Sequence, residues 1–181
     1  LNLVIVLDIS GSMGSPFNRY YYDGVNGKQN TRSNQKASRK SKMEVASNSV
    51  VSLLKHLKPS DRFGMVLFNS NAHLAKPLSL VGQTDMSAIS DHILEIQDNG
   101  GTNMSSGMIE GTKQFDDLEQ LNSAGYENRI IFLTDAMPNL GRTNEGDLIN
   151  IAEKNATRGI YSTFIGIGVD FNTQLVEHIT K

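Results

Sequence analysis

The chain has 181 residues, 38% apolar and 20% charged, with a formal net charge of −2, the profile of one globular domain large enough to bury a real core. It contains no cysteine, which excludes a disulfide framework and any thiolate metal site, and no apolar run approaches the ~18 residues of a membrane span. It opens on an apolar run with neither an initiating Met nor a basic leader, so it reads as an excised domain or processed piece.

Taken in order, the elements alternate between apolar runs and amphipathic helices. Leu1 to Leu7 reads as a fully buried strand, because no polar alternation follows Asn2. Met43 to Leu57 carries Val45, Ala46, Val50, Leu53, Leu54 and Leu57 at helical spacing. Phe63 to Phe68 is a second buried strand. Ala72 to Leu80 is a weaker one, broken by Pro77, which suits an edge. Thr84 is placed to cap a helix running to Ile96. Ser105 to Leu121 reads as helix, Arg129 to Thr134 as a third buried strand, Asp147 to Thr157 as helix and Ile160 to Ile167 as a fourth buried strand. A last helix starts over Asn172 to Ile179. Buried strands alternating with helices predict a doubly wound α/β domain, with a mostly parallel central sheet, helices on both faces and one antiparallel edge strand.

Ligands of such folds bind beyond the carboxyl ends of the strands. Asp8, Ser10 and Ser12 in "LDISGSMG" lie at that end of the first strand, and Asp135 directly follows "RIIFLT". The loop "DNGGTNMSSG" brings Thr102 behind the Gly100-Gly101 pair. Two carboxylates and three hydroxyls make an all-oxygen set. Hard divalent cations prefer oxygen, and so few carboxylates suit an ion held partly through water rather than a closed Ca²⁺ cage. The bland alternative for Asp8, Ser10 and Ser12 is a turn or cap network.

In these residues the chain resembles a von Willebrand factor type A domain with its metal-ion-dependent adhesion site. Asp8-Ile9-Ser10-Gly11-Ser12, Thr102 in "GGTN" and Asp135 in "IIFLTD" match that family's pattern in order and context. The stretches "DRFGMVLF", "GGTNMSSGM" and "GVDFN" are similar to the branch of inter-α-trypsin inhibitor heavy chains and related bacterial proteins. The resemblance implies a Rossmann-like fold and a Mg²⁺ ion, with Mn²⁺ or Ca²⁺ as possible substitutes. Ser10, Ser12 and Thr102 would touch the ion, while Asp8 and Asp135 would hold it largely through water. The ion would then keep enough charge to attract a partner's carboxylate. Three departures stand out. Ala136 replaces the Gly that often follows the final Asp. The family's last strand is missing before Lys181. And residues 14–42 form a long insertion where the family has a short loop.

That insertion holds Arg19, Lys28, Arg32, Lys36, Arg39, Lys40 and Lys42 against the single acid Asp23, so the rest of the chain is acidic. It also carries Phe17, Tyr20, Tyr21 and Tyr22. It reads as a solvated loop, as a recognition surface beside the crevice, or as a lid over it. Its charge comes with no nucleic-acid motif. Neither a phosphate-binding glycine loop nor a G-x-S-x-G elbow is present. His56, His73, His92 and His178 lack ligand spacing. Met43, Met65 and Met108 fall on apolar faces, whereas Met104 and Met137 belong to loops where exposure is expected. Asn103 and Asn155 match the glycosylation sequon by chance.

The sequence therefore predicts a single domain over residues 1–181 that is not an enzyme. It would be a metal-dependent protein-binding module, monomeric, with a partner offering an acidic side chain, and with no nucleic acid and no membrane insertion. An extracellular or cell-surface setting is favoured. The alternatives are an intramolecular domain docking a neighbour in the parent chain and a Mg²⁺-dependent phosphohydrolase. The latter would want a second carboxylate where Ser10 stands.

Overall fold

The opening apolar run forms β1 (Asn2–Asp8), buried at every position. The computed structural model describes residues 1–18, 40–116, 125–135 and 145–169. After β1 come α1 (Lys42–Leu54), β2 (Arg62–Phe68), β3 (Ala72–Leu80), α2 (Met86–Leu94), α3 (Met104–Lys113), β4 (Asn128–Thr134), α4 (Glu145–Thr157) and β5 (Ile160–Gly166). The strands form one sheet in the order β3-β2-β1-β4-β5. β1 runs parallel to β2 and β4, β4 runs parallel to β5, and β3 pairs antiparallel with β2 at the edge. No helix among the described residues is long and apolar enough to cross a membrane.

The alternation of β1 shows why its sequence has no polar phase. Leu3, Ile5 and Leu7 pack with Met43, Ala46, Val50 and Leu54 of α1 and Ile93 of α2. Val4 and Val6 point the other way, into a second core with Met104 and Met108 of α3 and Leu148 of α4. A strand covered on both faces must be apolar on both. Gly111 lets α3 lie close on the sheet: a Cβ there would sit 2.7 Å from Cγ2 of Val6. Pro77 occupies the edge strand as expected, where the β2–β3 register shifts around Met65 and Lys76 Nζ donates to the Phe63 carbonyl at 3.1 Å.

Four expectations need correction. Asp85, not Thr84, caps α2, its Oδ1 accepting from the backbone N–H groups of Ser87 and Ala88. The Thr84 hydroxyl instead donates back to the Leu80 carbonyl. α3 ends at Lys113, where Gln114 and Phe115 tighten into bonds three residues back, to Gly111 and Thr112; residues 117–124 lie outside the described residues. β5 is not a fully buried strand: Ile160 is covered but Tyr161 and Ile165, which share one face by strand alternation, are exposed. Met104 is not a loop residue but the first of α3, fully buried in the second core; Met43, Met65 and Met108 are core residues as expected. The C-terminal helix, Met137, Ala136, His178 and most of the insertion fall outside the described residues.

The two ends of the insertion are described. Pro16 bridges Ser41 in antiparallel fashion. Phe17 N–H donates to the Lys40 carbonyl, and Lys42 N–H to that of Ser15. The insertion thus leaves and re-enters through a closed neck, between the end of β1 and the start of α1.

Candidate metal centre

β1 lies at the centre of the sheet. The chain leaves it to one side for β2 and β3, then returns on its other side as β4. The carboxyl ends of β1 and β4 are therefore the point where strand order reverses, the place where ligands of such folds bind. Asp8 ends β1 and Asp135 directly follows β4. Both are fully buried, as are Ser10 and Thr102, while Ser12 is 9% exposed.

Backbone bonds hold the site's loops together. Beyond Asp8, Ile9 N–H donates to the Phe68 carbonyl, and the Ile9 carbonyl accepts from Asn99 N–H, each at 2.8 Å. Gly11 N–H donates to the Gly100 carbonyl at 3.0 Å. Gly100 has φ +77°, a left-handed conformation that favours glycine. Gly101 N–H then bonds the Ser70 hydroxyl. Thr102 follows, just ahead of Asn103, the cap of α3, whose side chain accepts from Ser106 N–H. The Asn103 Nδ2 is bonded to the Ser70 carbonyl, and Asn155 is buried with Nδ2 on Thr112. Both sequon amides are therefore engaged within the fold.

Asp8 is fixed at both oxygens. Ser10 N–H donates to Oδ1 at 2.8 Å, and the Thr134 hydroxyl donates to Oδ2 at 2.6 Å. Burial pushes the Asp8 carboxyl up to about 6; hydrogen bonds from Ser10 and Thr134 oppose the rise, and the negative charge of Asp135 adds to it. The Ser10 and Ser12 hydroxyls stand 3.1 Å apart. Asp135 Oδ2 receives a bond from Lys42 Nζ at 3.1 Å, with both side chains wholly buried. Its Oδ1 is buried with no hydrogen-bond partner.

The expected residues thus gather at the carboxyl ends of β1 and β4 and on the loop bonded to them. Asp8 bonds Ser10 and the Ser10 hydroxyl meets that of Ser12, Asp135 acts electrostatically on Asp8, and Thr102 follows a loop stitched to Ile9 and Gly11. Lys42 and Thr134 were not anticipated. Lys42 read as one more cation of the basic insertion. The signal for it was Ser41-Lys42-Met43-Glu44, a capping box that starts α1 and puts a lysine on its first residue. Thr134 read as the last residue of a strand.

The chemistry of the donors fits a hard divalent cation. A buried carboxylate oxygen without a partner, a second buried carboxylate resisting ionisation and two hydroxyls facing each other all favour a positive charge supplied from outside. Among the described residues no three His, Cys, Asp or Glu side chains cluster, so these residues do not build an imidazole site or a closed carboxylate cage. His56, His73 and His92 are exposed on other parts of the fold.

Fold and cluster together define a doubly wound α/β domain with an all-oxygen cluster at its switch point. The chain belongs to the von Willebrand factor type A domain family, whose family model matches residues 2–181. It is 30% identical over 142 residues to inter-alpha-trypsin inhibitor heavy chain H4 of Bos taurus, over 75% of this chain and 15% of that protein. The chain thus spans a small part of the length of that relative. Manganese-loaded TRAP protein of Plasmodium vivax superposes with a TM-score of 0.69 at 20% identity, covering 98% of this chain and 61% of that one. Proximal thread matrix protein 1 of the mussel byssus, with a zinc-occupied MIDAS motif, gives a TM-score of 0.68 at 17% identity, covering 99% and 41%. These structural likenesses establish the Rossmann-like fold of the family.

Proposed function

We propose that this domain is a metal-dependent protein-binding module, not an enzyme. Ser10, Ser12 and Thr102 would hold a Mg²⁺ ion through their hydroxyls, with Asp8 and Asp135 acting largely through water. The bound ion would supply an electrophilic position to which a carboxylate of a partner protein is drawn. The observation that carries the reading is Asp135 Oδ1, a buried carboxylate oxygen with no hydrogen-bond partner, on a residue whose charge acts on Asp8, while the Ser10 and Ser12 hydroxyls beyond Asp8 face each other. The metal-loaded relatives named above support it.

What the chain's own residues do follows from their bonds. Asp8 is clamped by Ser10 N–H and Thr134, so it is oriented before any ligand arrives. The hydroxyls of Ser10 and Ser12 are neutral donors of electron density. They leave an ion's charge largely unquenched, whereas carboxylates in their place would cancel it. The Ser10 side chain bonds the Asp8 carboxylate and meets the Ser12 hydroxyl at 3.1 Å. The alternative of an intramolecular role uses the same site, with the carboxylate supplied by a neighbouring domain. It is favoured by the small fraction of the bovine heavy chain that the match covers.

The test is thermal melting with metal. Millimolar Mg²⁺ or Mn²⁺ should raise the melting temperature through linkage to the folded state. EDTA should reverse the rise, and Asp8→Ala should abolish it. A wild-type curve indifferent to both ions would contradict the proposal.

A further inference from the structure

Lys42 is the first residue of α1. A helix N-terminus carries the positive end of the backbone dipole, so a lysine there is electrostatically misplaced unless an anion compensates it. The anion is Asp135, 3.1 Å away, with both side chains wholly buried. As a stability device such a pair is poor, because desolvating two charges offsets their attraction. Its placement suggests another use. The pair lies at the carboxyl end of β4 and bonds Oδ2 of Asp135, while Oδ1 has no hydrogen-bond partner.

We infer that Lys42 is the resident counter-cation of the metal centre, a positioning residue that neutralises Asp135 and fixes its orientation so that a bound divalent ion keeps its charge for the partner. This rests on the metal-binding reading above. Among the described residues, Asp8 and Asp135 are the carboxylates of the site, and even through water their two negative charges would offset part of a divalent ion's field. The Lys42 ammonium, paired with Asp135, would return positive charge to the site and leave more of the ion's field for an incoming carboxylate. A buried like charge also weakens the ion's own binding. Lys42 thus trades metal affinity for electrophilicity, and the two effects have opposite signs.

That opposition separates the role from simple packing. Lys42→Met removes the charge and keeps most of the volume; Lys42→Arg keeps the charge. Free Mn²⁺ would be followed by electron paramagnetic resonance, and melting measured in EDTA and in millimolar Mn²⁺. Lys42→Met should bind Mn²⁺ on the order of tenfold more tightly than wild type, and should show the larger rise in melting temperature with Mn²⁺. Acetate, as a carboxylate probe, should displace less Mn²⁺-bound water in Lys42→Met than in wild type. Lys42→Arg should resemble wild type. If Lys42→Met folds only with Mn²⁺ present, the inference is supported. Unchanged or weaker Mn²⁺ binding in Lys42→Met, or an equal loss of stability with and without the ion, would overturn it. So would a failure of both Lys42→Met and Lys42→Gln to fold even in Mn²⁺, since the lysine would then serve the fold regardless of the ion. A wild-type protein that binds no Mn²⁺ would refute the metal-binding reading itself, a separate outcome.

Discussion

The Thr134 hydroxyl donates a 2.6 Å hydrogen bond to Oδ2 of Asp8, joining the ends of two adjacent strands. Asp8 is thereby held by a donor from β4 as well as by its own loop. Thr134→Val keeps the shape and removes the donor, leaving a buried carboxylate oxygen less satisfied. In EDTA at neutral pH it should cost about 1–3 kcal/mol. Urea unfolding of the two proteins measures this. A difference below about 0.5 kcal/mol would show that the bond does little for the fold.

The Asp8 carboxyl is raised from 3.8 to about 6, chiefly by burial. The folded state therefore binds this proton more tightly than the unfolded chain does. The resulting stability is fully present below about pH 4 and is lost as the pH rises through about 6. Metal-free wild type should accordingly lose stability relative to Asp8→Asn across that window, then run parallel to it above about pH 7. Unfolding free energies of both proteins in EDTA, taken at several pH values, decide this. Parallel curves throughout would mean that Asp8 is not strained by its burial.

α3 carries Thr102 at its head and lies close on β1 because Gly111 has no Cβ. Gly111→Ala would place that atom 2.7 Å from Cγ2 of the wholly buried Val6. Alanine gains about 1 kcal/mol in helix propensity, but overpacking costs about 1–3 kcal/mol. The net expectation is a fall in melting temperature of about 3 °C. A more stable Gly111→Ala protein would show that α3 can lift off the sheet freely.

The insertion is anchored by the bridge between Pro16 and Ser41. Replacing residues 18–39 with a short turn keeps that neck and should leave the fold intact. The melting temperature should stay within about 3 °C of wild type, since loop length contributes only weakly to stability. Circular dichroism melting checks this. A large loss would mean that the insertion supplies part of the core.

Much of this was legible in the sequence for a physical reason. β1, β2 and β4 are covered on both faces, so their sequences are unbroken apolar runs bounded by polar loops. Asp8, Ser10, Ser12, Thr102 and Asp135 stand out because polar residues at the ends of such runs have no packing role to explain them. Lys42 did not stand out. Its neighbours in sequence are basic, and its partner Asp135 is remote in the chain, so only the fold shows that this cation is buried. The cap of α2 was misplaced by one residue because Thr84 and Asp85 are both good caps by type, and local geometry chose between them. Met104 read as a loop residue because the pattern of α3 becomes apolar only after its first turn.

The central claim is that the site presents a metal ion to a carboxylate, and the most direct measurement is water-proton relaxation of the Mn²⁺-loaded domain. Mn²⁺ should bind in one class of site, enhance relaxation through exchangeable water, and lose that enhancement when acetate is titrated in. Ser10→Ala and Ser12→Ala should bind Mn²⁺ weakly or not at all. Mn²⁺ that binds tightly yet keeps its water in the presence of acetate would contradict the account, as would binding that survives in both serine variants.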